Sequence, residues 1–164
     1  MTPAKGEPFD GVEKFVTGMF GLCCCRKRVG RRRSVSFGFG AEQFHGDPKL
    51  LDAFYGEWEI GTYYAGWRVV QSGKILCGSE DVVDSVDKLN DRLGLVELGQ
   101  PVGFQMISEF DVRLSLDGDT HVDFLGTFSE ADEHVVHIFG PDDLYAEYVV
   151  ETGWEIGTSA EPLR

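Results

Sequence analysis

The sequence predicts an α+β fold, a curved antiparallel meander sheet with two or three helices packed on it. Short segments in which apolar and polar residues alternate recur along the chain, as is typical of half-buried strands. The 164 residues include 21 glycines and six prolines, which indicates many tight turns between these strands. Two segments instead carry apolar residues at helical spacing. Helices before and within a run of antiparallel strands are typical of the α+β class.

The N-terminal third predicts one helix and one hairpin. Asp10 can cap a helix over residues 11–20, with Glu13 as the capping-box partner three residues later. Residues 22–29 and 34–39 alternate as two strands joined by a glycine-containing turn. They predict a hairpin.

The middle third begins with an ambiguous stretch over residues 41–55. Asp47 and Pro48 can start a short helix there, and a long loop fits as well. Strands then follow over 57–62, 66–70 and 74–77. The clearest helix of the chain is predicted over 80–93, capped by Ser79 or Asp81 and ended by a glycine.

The last third predicts strands with short turns between them. They are expected at 102–108, 110–116, 120–128, 134–139, 144–150 and 153–157. The pentapeptide Trp-Glu-Ile-Gly-Thr occurs at 58–62 and again at 154–158, but its flanks do not align. We interpret the two copies as similar strand ends, with an internal duplication as the alternative.

Length and composition indicate one globular domain, expected over residues 10–164 after a flexible tail over 1–9. No apolar run approaches the roughly 18–20 residues that cross a bilayer. Glu7, Asp10 and Glu13 stand where a signal peptide is basic. We therefore expect a cytoplasmic protein without a membrane span.

The four cysteines agree with that location. Cys23, Cys24 and Cys25 are consecutive and Cys77 stands apart, a spacing that fits neither a disulfide ladder nor a Cys-x-x-Cys site. We interpret all four as reduced thiols, as expected in the cytosol.

Charge divides the chain into two unequal parts. Residues 1–40 hold eight Lys or Arg against three Asp or Glu, a net of +5, and residues 41–164 hold seven against 25, a net of −18. A strongly acidic body favours basic partners and steers their association. It also argues against DNA or RNA as the direct ligand of that body, because phosphate attraction dominates nucleic-acid affinity.

The predicted helix over 80–93 organises part of this acidic charge. Four carboxylates fall within about 60° of one another on its helical wheel, opposite an apolar stripe. They are Glu80, Asp84, Asp87 and Asp91. We predict that this face binds a basic protein partner; the alternative is a solvated face that keeps the protein soluble.

The basic residues concentrate around the turn of the predicted hairpin. They are Arg26, Lys27, Arg28, Arg31, Arg32 and Arg33. Three interpretations remain open: ion pairs with carboxylates of the same chain or of a second copy, an anionic partner, or attachment to a membrane beside lipidated cysteines.

Known catalytic and metal-binding patterns are missing from the sequence. His134 and His137 stand three apart on a predicted strand, so their side chains should face opposite ways and not converge on a metal. There is no Gly-x-Ser-x-Gly and no phosphate-binding glycine loop. We therefore expect a protein that is not an enzyme and that uses no cofactor or metal.

A resemblance rests on three scattered groups of residues: Val29-Gly30-Arg31 with 34–40, Glu57-Trp58 with 65–69, and 137–142. They resemble small uncharacterised bacterial proteins that serve as immunity partners of secreted toxins. The resemblance implies an acidic, cytoplasmic, non-enzymatic protein that neutralises a toxin domain by direct binding. The basic hairpin departs from this pattern, since an inhibitor that mimics an anion does not need it.

The leading hypothesis is thus an immunity or inhibitor protein that binds a basic toxin domain. One alternative is a small-ligand protein or enzyme with a pocket lined by Trp58, Trp67, Trp154 and the histidines. Another is a homo-oligomer in which the basic hairpin of one copy meets the acidic face of the next.

Overall fold

The computed structural model describes residues 8–63, 66–129 and 133–158. In this part of the chain, eleven strands form two antiparallel sheets accompanied by two α-helices. The α+β class is confirmed in this broad sense, with strands dominating. The predicted single meander sheet is wrong, because the chain leaves one sheet after its third strand, builds a second, and then returns to the first.

Each predicted strand has a counterpart among the described residues. The observed strands are β1 (Cys24–Val29), β2 (Val35–Phe44), β3 (Phe54–Thr62), β4 (Gly66–Gln71), β5 (Lys74–Gly78), β6 (Pro101–Met106), β7 (Asp111–Leu116), β8 (Thr120–Leu125), β9 (His134–Phe139), β10 (Leu144–Val149) and β11 (Gly153–Thr158). However, β2 runs five residues beyond its predicted end, β3 starts three residues earlier and β8 ends three residues sooner. The six-stranded sheet has the order β1-β2-β3-β9-β10-β11, and the five-stranded sheet has the order β5-β4-β8-β7-β6. Seven of the nine strand pairs in the described residues join strands that are consecutive in the chain, whereas β3 with β9 and β4 with β8 join distant strands.

The first helix, α1 (Phe9–Val16), starts earlier and ends sooner than predicted. Pro8 occupies the N-cap position that the sequence assigned to Asp10. Phe9, expected in the tail, belongs to the folded domain because its ring stacks on Phe104 at 5.9 Å between centroids. Residues 1–7 of the predicted tail lie outside the described part of the chain.

The second helix, α2 (Val86–Gly94), is shorter than the predicted 80–93. Ser85 caps it, and its hydroxyl accepts a hydrogen bond from the Lys88 backbone N–H at 3.2 Å. Asp81, one of the predicted caps, instead forms an ion pair with Arg92 at 2.8 Å. Residues 80–84 therefore form a loop before the helix.

The ambiguous stretch over 41–55 contains no helix. β2 runs on to Phe44, and a loop over residues 45–53 leads into β3. Of the two alternatives that the sequence left open, the loop is the one observed.

The core lies between the two sheets. Phe37 of β2 meets Phe124 of β8 edge to face at 6.4 Å. Trp58, Trp67 and Trp154 are all buried in the same core, with at most 6% of each side chain exposed. All three pack against apolar neighbours and are core residues, while the alternative of a small-ligand pocket stays a prediction. Both copies of the repeated pentapeptide place their Trp in the core. The first Trp lies on β3 and the second on β11, which are the last strands of the groups β1–β3 and β9–β11 in the six-stranded sheet.

Candidate functional site

At least four of the six basic hairpin residues bond to groups inside the molecule. Lys27 donates from Nζ to the carbonyls of Gly94 and Val96 at the end of α2. Arg33 donates to the carbonyls of Ser79 and Asp81 at 2.9 and 2.6 Å. Arg26 and Arg28 pair with carboxylates. The first interpretation of the basic tract, pairing within the chain, thus applies to Arg26 and Arg28, while Arg31 and Arg32 stay exposed at the turn.

Arg26 is the centre of a buried polar network on the outer face of the six-stranded sheet. Its guanidinium donates to both oxygens of Glu59, to Asp52 Oδ2 at 2.7 Å and to Ser36 Oγ at 2.6 Å. Arg28 donates to the same Asp52 at 3.0 and 2.6 Å. The network pins the loop over 45–53 onto β1 and β3, because Asp52 belongs to that loop.

The ionisation of this network follows from its pairing. Hydrogen bonds from Arg28, opposed by partial burial and aided by Arg26, hold the pKa of Asp52 below its usual value. Burial works against the charge of Arg26, but its bonds to Glu59 and Asp52 outweigh burial and raise its pKa. Bonds to Asp52 also raise the pKa of Arg28, so these pairings favour the charged forms of Arg26, Arg28 and Asp52 at neutral pH.

The predicted acidic face is exposed, although only half of it is helical. Asp87 and Asp91 lie on α2, whereas Glu80 and Asp84 lie in the loop before it, and all four side chains are exposed. Asp84 forms an ion pair with Lys88 at 2.7 Å. The opposite side of α2 packs on β1.

The exposed surface as a whole is acidic. Among the described residues, 16 of the exposed side chains are Asp or Glu and seven are Lys or Arg. Internal bonding of the hairpin cations contributes to this excess, because Arg26, Lys27, Arg28 and Arg33 are not among the seven.

A cavity of about 740 Å³ opens beside the Arg26 network, on the same outer face. Its lining comes from β1, β2, β3, β9 and the turn after β9. Charged and polar groups share this lining with three aromatic rings, those of Tyr55, Tyr63 and Phe139.

The two histidines of β9 share one face of the sheet, contrary to the prediction from their spacing. Opposite β10, His137 pairs with Glu147 but His134 pairs with Val149, so Val135 is an extra, bulged residue. Glu147 Oε2 lies 3.1 Å from His134 Nδ1, and the Tyr63 ring contacts both imidazoles. The bulge cancels the alternation that the prediction assumed.

His137 lies on the cavity wall with 9% of its side chain exposed. Its ring stacks at 4.4 Å from Tyr63 and 5.2 Å from Phe139, measured between centroids. Its Nδ1 is buried and has no hydrogen-bond partner within the described residues. Burial, aided by the nearby His134, lowers the pKa of His137 to about 4, so the ring is neutral at pH 7.

The five-stranded sheet carries a second charged network on its own outer face. Asp123 on β8 is fully buried and accepts hydrogen bonds from Arg68 on β4 at 2.9 Å and from Arg113 on β7 at 2.7 and 3.1 Å. Burial opposes the ionised form, but the bonds from Arg113 and Arg68 outweigh it and lower the pKa of Asp123. The three side chains stand side by side in register across three strands.

The cysteines and possible metal ligands show no reactive arrangement in the described ranges. Burial raises the pKa of Cys24 and Cys77 to about 11 and also raises the pKa of Cys25, so these three thiols are poor nucleophiles at neutral pH. Across residues 8–63, 66–129 and 133–158, no three His, Cys, Asp or Glu side chains are placed to hold a metal ion. Nor does any helix there have the length and apolar character needed to cross a membrane.

Comparison with protein-family models, with curated proteins and with solved structures finds no match for this chain. The resemblance to immunity proteins therefore stays a prediction.

Proposed function

We propose that this protein is a non-enzymatic, acidic binding protein that neutralises a basic protein domain by direct contact, as an immunity or inhibitor protein does. The observation that carries the proposal is the destination of the hairpin cations. Arg26 and Arg28 pair with Asp52 and Glu59, and neither Lys27 nor Arg33 is among the exposed side chains, so the exposed surface keeps its excess of acidic groups. The basic hairpin, which departs from the pattern of immunity proteins, thus has a role in the fold.

The acidic segment, defined as residues 80–91, is our candidate for the contact surface. It presents Glu80, Asp84, Asp87 and Asp91 to solvent, and the exposed Val82 lies among them. A basic, partly apolar partner surface complements such a segment. Acidic charge speeds the encounter and favours basic partners over others, while the apolar contact adds to affinity.

The attachment of α2 to the body supports a rigid contact surface. Leu89 and Leu93 are fully buried beneath the helix. Asn90 Oδ1 accepts a hydrogen bond from the backbone N–H of Val29 at 2.8 Å, and Lys27 binds the carbonyls at the end of the helix. A surface that is ordered before binding loses less conformational entropy on association.

Charge reversal tests the proposal. The partner is first recovered from the native host by pull-down with the unaltered protein, identified and purified. Asp87→Lys/Asp91→Lys is then compared with Glu13→Lys/Glu97→Lys, which changes net charge equally outside the segment. We expect the α2 variant to slow association by about tenfold at low salt and to flatten its salt dependence. Equal effects from both pairs, or none from the α2 pair, would show that the segment is not the contact surface.

A further inference from the structure

The aromatic lining is the first unusual feature of the cavity on the six-stranded sheet. Tyr55, Tyr63 and Phe139 keep 39%, 47% and 36% of their side chains exposed, and all three line the same cavity. Aromatic faces attract cations through their quadrupole. One such contact is already present, since the Arg26 guanidinium carbon lies 5.1 Å from the Tyr55 ring centroid.

The charges of the lining select against an anionic ligand. The two cations there, Arg26 and Arg28, already donate to Asp52 and Glu59. Counted by residue, the lining holds two guanidinium groups and four carboxylates, those of Glu57, Glu59, Asp142 and Asp143. The cavity is therefore aromatic and net negative.

We propose that this cavity binds an organic cation, an ammonium or guanidinium group carried either by a small molecule or by a basic side chain of another protein. The aromatic rings supply cation–π contacts, and the turn carboxylates supply the counter-charge. This cavity and the acidic segment are lined by different residues, so the inference stands independently of the docking role proposed for that segment.

His137 suits the same ligand chemistry. Its ring stands against Tyr63 and Phe139 on the cavity wall, and it is neutral at pH 7, so it does not repel a cation. A neutral imidazole also retains one nitrogen that can accept a hydrogen bond from an ammonium or guanidinium N–H. His137 therefore adds a candidate acceptor to the aromatic wall.

Calorimetric titration of the full chain at pH 7 tests the proposal with four probes. Benzamidine represents a small organic cation, and acetyl-arginine amide represents a basic side chain. Benzoate and benzyl alcohol are the anionic and neutral controls. We expect at least one cationic probe to bind ten times more tightly than both controls and to shift the imidazole NMR signals of His137.

Substitutions in the lining then locate the site. Asp142 and Asp143 both have positive φ, of 61° and 60°, which asparagine tolerates, so Asp142→Asn/Asp143→Asn removes charge without straining the turn. This pair should raise the Kd of the cationic probe about tenfold, and Phe139→Leu should raise it about threefold. Glu13→Gln/Glu97→Gln, which removes two exposed carboxylates outside the cavity, should leave it unchanged.

The titrations distinguish the two possible sources of the cation. Binding of benzamidine alone supports a small-molecule cation, and binding of acetyl-arginine amide alone supports a protein side chain. The proposal is overturned if neither cation binds, if benzoate or benzyl alcohol binds as tightly, or if the lining variants bind like the Glu13/Glu97 control.

Discussion

The outer faces of the two sheets each hold a carboxylate between two arginines, but the surroundings of these carboxylates differ. On the five-stranded sheet, Asp123 is fully buried between Arg68 and Arg113, which come from the two neighbouring strands. On the six-stranded sheet, Asp52 comes from a loop and binds Arg26 and Arg28, which belong to one strand. Only the second network borders the 740 Å³ cavity.

This difference shows why a charged cluster alone does not identify a functional site. The Asp123 network joins three neighbouring strands, and this stabilising role within the sheet is sufficient to explain why the charged residues are there. The Arg26 network holds a loop in place and lines a cavity that is also lined by His137, whose buried Nδ1 has no hydrogen-bond partner among the described residues. Binding is therefore proposed on one face and structural support on the other.

The largest expected effect comes from Arg26→Met. The substitution leaves Glu59 buried without its cation and releases Asp52 from one partner, so we expect a loss of about 4 kcal/mol in the free energy of unfolding. Urea denaturation measures it, and hydrogen exchange should show faster exchange over 45–53. Arg28→Met is the matched control, because Arg26 still binds Asp52 and the loss should be about 1 kcal/mol. Equal losses for the two variants would contradict the central role of Arg26.

The second prediction concerns pH and His137. Its pKa is about 4 in the folded protein and 6.5 ordinarily, so the unfolded chain takes up a proton that the folded protein excludes. Stability is therefore full above pH 6.5 and should fall by about 3 kcal/mol as the pH drops to 4. His137→Phe, which keeps a ring against Tyr63, should remove most of this slope in denaturation measured at several pH values. A slope equal to that of the unaltered protein would show that His137 does not cause it.

The third prediction concerns Asp123 and a lower pH window. Because its folded pKa lies below the ordinary 3.8, its contribution is present above about pH 4 and is lost as the pH falls through the folded value. Asp123→Asn should cost about 2 kcal/mol at pH 7 and flatten the acid end of the stability curve. The region between pH 4 and 6.5 should keep its slope, which distinguishes this face from that of His137.

The smallest expected effect is that of Asp84→Ala. The pair with Lys88 spans four residues and both side chains are largely exposed, at 85% and 61%. Its removal should cost about 0.4 kcal/mol, measured by thermal or urea unfolding. A cost above about 1.5 kcal/mol would mean that the acidic segment has a structural role as well as the docking role proposed for it.

The sequence predicted local elements well and their assembly less well. The strand predicted over 110–116 agrees with β7 to within one residue, because buried and partly exposed residues alternate along it and two-residue periodicity is a local property. The helix α2 begins six residues later than predicted, because the Ser85 hydroxyl caps it while Asp81 pairs with Arg92. The bulge at Val135 arises from the pairing of β9 with β10, and no local sequence pattern indicates it. The sequence therefore did not predict that the two histidines share one face of the sheet.

Part of the cavity could have been anticipated. Arg26 and Arg28 stand two apart on a predicted strand and Glu57 and Glu59 two apart on another, so each pair shares one face. Their meeting required β1 and β3 to flank β2 in one sheet, and it required a loop to carry Asp52 across them. These are long-range contacts that periodicity does not encode.

The sequence by itself determined the short strands, the turns, the presence of two helices and the separation of basic from acidic residues, because these depend on residue type and spacing along the chain. Only the tertiary structure decided that the strands divide into two sheets and that the basic hairpin bonds inward. It also decided that His137 faces a cavity. These features depend on which distant segments pair, and pairing is decided by the burial of whole faces, which no short stretch of sequence specifies.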